Sequence, residues 1–158
     1  MQLEKISAFR SELAIVETIE EIKHLDTKAS ALAEIARKEK MSKSAQDEVG
    51  AFRCDIEAKK GAWLDEYFQQ GGDRIARSDG STLKDEGISK DESSNARLVS
   101  KEAELVAEAI EELKQDDKKV VTPNAVVSLV RNKKRKIRVE ETEQPNLDGI
   151  YRVIYADP

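Results

Sequence analysis

Apolar residues return along the first part of this chain at three- and four-residue steps: Ile6, Phe9, Leu13, Val16, Ile19 and Ile22. That spacing puts them on one stripe of an amphipathic helix. Asp26 stands where an N-cap would open a second helix, whose inward stripe is Ala29, Leu32, Ala33 and Ala36. Ser42 or Ser44 opens a third and longer one through Ala45, Val49, Phe52, Ile56, Trp63, Leu64 and Tyr67, which Gly71-Gly72 ends. The polar run from there to Gly80 reads as a loop. Three such helices can bury their stripes only against each other or against a partner. Residues 1–70 therefore predict a helical hairpin or bundle, with homo-oligomerisation through these helices as an expectation.

Helical spacing resumes downstream. Leu98, Val99, Leu105, Val106, Ala109, Ile110 and Leu113 predict one long amphipathic helix that Asp116-Asp117 closes. Thr122-Pro123 is a cap and first-turn signature for another, through Val126, Val127, Leu129 and Val130. Its end is crowded with cations: Arg131, Lys133, Lys134, Arg135, Lys136 and Arg138. In a chain of net charge −5 this is a local basic patch. It can hold nucleic-acid phosphates through charge and counterion release. It can equally complement a helix C-terminus, or form a solvated linker balanced by Glu140, Glu141 and Glu143. Residues 137–149 read as that linker. The period then changes, and Ile150 to Tyr155 read as a buried strand running into Asp157-Pro158.

Composition narrows the picture. Only 4% of the 158 residues are aromatic and 37% are charged, so any core is thin, aliphatic and helical rather than that of a compact α/β enzyme. The expected class is mainly α with one C-terminal strand. Cys54 is the only cysteine, which leaves no intramolecular disulfide and favours a reducing compartment. No stretch reaches the ~20 apolar residues of a membrane span, and no signal-peptide core is present at the N-terminus. A soluble, cytoplasmic protein with no membrane association is expected.

Most site chemistry is excluded by what the chain lacks. With His24 and Cys54 each the only residue of its type, there is no zinc ligand set and no Cys-His pair, so no metal is expected. Neither a Gly-Lys-Ser/Thr loop nor a Gly-x-Gly-x-x-Gly fingerprint occurs. Acidic pairs such as Glu20-Glu21 and Glu111-Glu112 are solubilising charges on helix faces.

Two stretches carry a family resemblance. Tyr151-Arg-Val-Ile-Tyr-Ala-Asp157-Pro158 resembles the catalytic strand and loop of MT-A type N6-adenine methyltransferases, up to the second proline of their Asp-Pro-Pro-Trp motif. In that family the acidic side chain and a proline carbonyl accept hydrogen bonds from the amine of a flipped adenine, and the aromatic residue stacks on the base. The resemblance makes Asp157 and Pro158 the catalytic candidates, in an incomplete motif, and S-adenosylmethionine the cofactor of the intact parent. The chain is thus expected to be the front of such an enzyme, truncated inside the motif and inactive alone, with no cofactor of its own.

Ser81 to Arg97 is similar to the short helix-turn-helix of phage and mobile-element proteins, including regions that precede such methyltransferase domains. Gly87 would supply a left-handed turn residue, Ile88 would plug the core, and Ser89 with Glu92 would form a capping box. The second helix would turn Lys90, Ser93, Ser94, Asn95 and Arg97 to a major groove. Residues 33–61, leading into Lys60-Gly61-Ala-Trp-Leu64, resemble the helical part of the same proteins. Asp85, Glu86, Asp91 and Glu92 depart from that pattern by bringing negative charge toward phosphate, and Glu86 and Ser93 stand where apolar residues are common. A glycine-turn hairpin that packs rather than reads DNA is the competing account of this segment. The alternative for the whole chain is a self-contained helical DNA-associated regulator or protein-protein adaptor.

Overall fold

A computed structural model describes residues 2–68 and 82–142. Gly71-Gly72, the expected strand at 150–155, Asp157 and Pro158 lie outside the described residues. Within them the protein is helical and contains no strand: α1 (Gln2–Ile15), α2 (Ile19–Lys38), α3 (Lys43–Tyr67), α4 (Lys90–Lys101), α5 (Ala103–Gln115) and α6 (Pro123–Thr142).

The stripe from Ile6 to Ile22 runs through two helices rather than one. Thr18 interrupts it: its hydroxyl accepts from the Glu21 N–H at 3.3 Å, and the Glu21 carboxylate accepts from the Thr18 N–H at 3.1 Å. This capping box starts α2 eight residues before Asp26, which lies inside the helix facing Arg53 and Lys60. Periodicity hid the break because both helices turn their stripes to one core. Of the two serines considered for α3, Ser42 is the cap, accepting from the Ala45 N–H at 3.3 Å.

α3 is apolar on two faces, the pattern of a helix packed on both sides. One face, with Val49, Phe52, Ile56 and Leu64, closes over the stripes of α1 and α2, and Ile88 and Ala96 complete that core. The other, with Ala51 and Cys54, meets Val99, then Val106, Ala109 and Leu113 of α5, then Val121, Val126, Val127 and Val130 of α6. The N-terminal stripes are thus buried within one chain, and burial by itself calls for no second copy. Packing across α3 is close. A Cβ on Gly61 would stand 2.1 Å from the Ala96 carbonyl oxygen, and one on Gly50 would stand 1.8 Å from that of Val121.

The segment expected as a helix-turn-helix is half formed. Gly87 takes φ +63°, Ile88 is buried, and the Ser89–Glu92 capping box is present at 2.9 and 3.2 Å. In place of a first helix, however, residues 82–87 make a single turn, which Asp85 ties by accepting from the Thr82 N–H at 2.8 Å. The long helix expected through Leu113 is also divided, bending at Glu102 so that α5 packs along α6. Thr122 caps α6 as read, accepting from the Ala125 N–H at 3.2 Å. α6 then continues to Thr142, past the residue where a linker was expected to begin. No described helix is long and apolar enough to cross a membrane.

Candidate nucleic-acid interface

Five residues of α4 were candidates for base contact, and their surroundings differ. Ser93 is 4% exposed and cannot face a groove. It shares three- and four-residue steps with Ala96 and Ser100, the residues that meet α3 at Gly61, so its small side chain serves close helix packing. Arg97 turns inward as well. Its guanidinium donates to the carbonyls of Leu64 at 3.1 Å and Phe68 at 2.7 Å, and its Nε lies 3.2 Å from Asp65. That arrangement satisfies the last carbonyls of α3, a structural capping role. Asn95 accepts a hydrogen bond from Arg131 at 2.7 Å. Lys90 and Ser94 are exposed, on a face that also carries Asp91 and Glu92. The expectation of a DNA-reading face on α4 is corrected for Ser93 and Arg97.

α6 presents a different surface. Its burial ends at Val130, and from Arg131 onward the helix lies mostly open to solvent. Arg131, Lys134, Arg135 and Arg138 follow at steps of three, four and seven, which places them on one side of the helix. Together with Leu105, Ile137 and Glu102 they line a shallow groove of about 690 Å³ where α6 passes the bend between α4 and α5. The cations lie mid-helix and none falls in the last turn, so complementing the helix C-terminus is not their role.

Part of this charge is already engaged. Lys133 lies 3.0 Å from Glu108 and 3.4 Å from Glu112, and the hydrogen bond from its ammonium to Glu108 holds it above its ordinary pKa. Lys134 pairs with Glu102. Arg135 and Lys136 are exposed and have no ion-pair partner among the described residues. The structure thus brings Asn95 of α4 to Arg131 of α6 and divides the basic stretch into held and free members. The glutamates responsible could not be singled out from sequence, because they lie more than 20 positions from their lysines.

Two further polar arrangements escaped sequence reasoning. Asp47, buried, accepts from the Val121 N–H at 2.9 Å and from the Lys43 ammonium at 2.5 Å, while Lys43 also donates to the carbonyls of Leu113 and Lys114. This clamp fixes the loop that enters α6. Lys60 is buried beside Glu57 at 2.8 Å and Asp26 at 3.9 Å. Lys60, Glu57 and Asp26 line a small pocket of about 200 Å³. Burial pushes the Cys54 thiol up to about 12, so it packs as an inert interior group. Among the described residues no three His, Cys, Asp or Glu side chains gather as a metal site. Comparison with protein-family models, with curated proteins and with solved structures gives no match for this chain.

Proposed function

We propose that this region is the DNA-binding front of an S-adenosylmethionine-dependent DNA N6-adenine methyltransferase, and that it holds DNA by α6 rather than α4. One observation carries the DNA reading: Arg131, Lys134, Arg135 and Arg138 form a basic stripe on the open part of a helix, in a chain that is otherwise acidic. A row of guanidinium and ammonium groups at this spacing suits the phosphate backbone, which supplies affinity without sequence choice. The methyltransferase part rests on the resemblance of Tyr151 to Pro158, which begins eight residues after Glu143. On this reading α6 holds duplex, and the resemblance makes Asp157 the acceptor of the adenine amine. S-adenosylmethionine would supply the methyl group, and the described helices position DNA and assemble the fold.

The test is fluorescence anisotropy with a labelled duplex at low salt. Reversing two stripe charges, R135E/R138E, should weaken binding at least roughly tenfold and flatten the salt dependence by roughly 0.9 per lost phosphate contact. Unchanged affinity would remove the DNA reading. In a polypeptide that also carries the rest of the loop, Asp157→Asn should abolish N6-methyladenine in substrate DNA, measured by mass spectrometry of nucleosides, while DNA affinity is retained.

A further inference from the structure

The glutamates that hold the α6 lysines come from the two elements flanking the groove. Glu102 sits at the bend between α4 and α5, where its side chain makes no capping hydrogen bond, while Glu108 and Glu112 are mainly exposed on α5. Each nevertheless points its carboxylate at an ammonium group of the basic stretch: Glu102 at Lys134, and Glu108 and Glu112 at Lys133. Carboxylate and phosphate are both oxyanion acceptors for the same cations, so one excludes the other at a given ammonium group. Exposed pairs of this kind are weak and screened by salt, which makes them displaceable by a dense array of phosphates.

We propose that Glu102, Glu108 and Glu112 act as an internal acidic latch that competes with DNA for Lys133 and Lys134 and lowers the affinity of the α6 surface. This inference rests on the DNA reading above. In the latched state only part of the basic stretch is available, which includes Arg135 and Lys136. Binding of a duplex draws Lys134 from Glu102 and Lys133 from α5, and the carboxylates return to water. Such a device keeps weak encounters from occupying the surface, because the lysines are released only when several phosphates engage together.

The experiment compares four versions of the full chain by anisotropy with one labelled duplex over a range of potassium chloride concentrations: the unaltered protein, E102Q/E108Q/E112Q, the charge-matched control E17Q/E20Q/E66Q, and R135E/R138E. Circular dichroism melts confirm that each is folded. The latch variant should bind roughly threefold to tenfold more tightly, the range that loss of weak ion pairs allows. Its salt dependence should stay close to that of the unaltered protein, because the same lysines meet phosphate in both complexes. The control should match the unaltered protein. Binding only by the latch variant would also support the latch. If the latch variant equals the unaltered protein, or the control gains as much, the latch is wrong, while the DNA reading stands as long as R135E/R138E still weakens binding. If no version binds, both are overturned.

Discussion

A methyl group at position 61 would lie 2.1 Å from the Ala96 carbonyl oxygen and 2.8 Å from the Ser100 Cβ, distances that backbone and a short side chain cannot accommodate in place. Gly61 therefore sets how closely α4 approaches α3, and Ser93 and Ala96 are small for the same reason. Gly61→Ala should destabilise the fold by about 1 to 3 kcal/mol, the overpacking range, read as a lower urea midpoint with an unchanged slope. A loss below about 0.5 kcal/mol, the size of an ordinary surface change, would mean that the helices separate easily and that the close crossing is not a constraint. The same crossing explains why Ser93 was misread. Its hydroxyl type and its place after a capping box fit a recognition helix, although its standing where apolar residues are common in that pattern already pointed inward. Arg97 was misread for the same reason, since the carbonyls it caps lie 29 and 33 positions away.

Helix boundaries written in local chemistry were legible at the scale of elements. Ser89 with Glu92 and Thr122-Pro123 each act within a few residues of themselves and appear in the structure as the sequence implied, Gly87 takes its left-handed turn without the first helix, and Ser42 is one of the two serines the sequence offered. The break at Thr18 and the bend at Glu102 were not seen, because apolar spacing carries across both. Thr18-x-x-Glu21 was nonetheless a readable capping-box signature. These caps also set a pH dependence. Hydrogen bonds from the Thr18 backbone hold the Glu21 carboxyl below its ordinary value of 4.5, and those from Ser89 do the same for Glu92. A carboxyl lowered on folding contributes stability that is complete above the unfolded value and is lost as pH falls through the folded one. Asp55, pushed up by burial, works in the opposite sense, so the caps are isolated by difference. E21Q/E92Q should therefore lose stability relative to the unaltered protein at neutral pH, and the two should converge between about pH 5 and pH 3, as followed by thermal melts. A gap that stays constant over that range would show that the caps do not depend on the carboxylate charge.

At the scale of the molecule, α3 joins two cores, with α1 and α2 on one side and α5 and α6 on the other. The mainly helical class was legible from periodicity and from the scarcity of aromatic residues. The sharing of α3 was not, because a two-faced helix scatters its apolar residues and blurs its own stripe. The basic stretch was visible as composition. Its division into a latched set and a free set depends on α5 lying beside α6, which only the tertiary fold decides. The central claim is that DNA meets the open side of α6, with α4 turned to packing. Chemical-shift mapping of the amide resonances during titration with a short duplex tests it most directly. The account predicts that perturbations concentrate at residues 131–138, with smaller ones at Glu102, Glu108 and Glu112 as their lysines leave, while Lys90 to Arg97 change little. Perturbations centred on Lys90, Ser94 and Asn95, with α6 unmoved, would contradict it and return the recognition surface to α4.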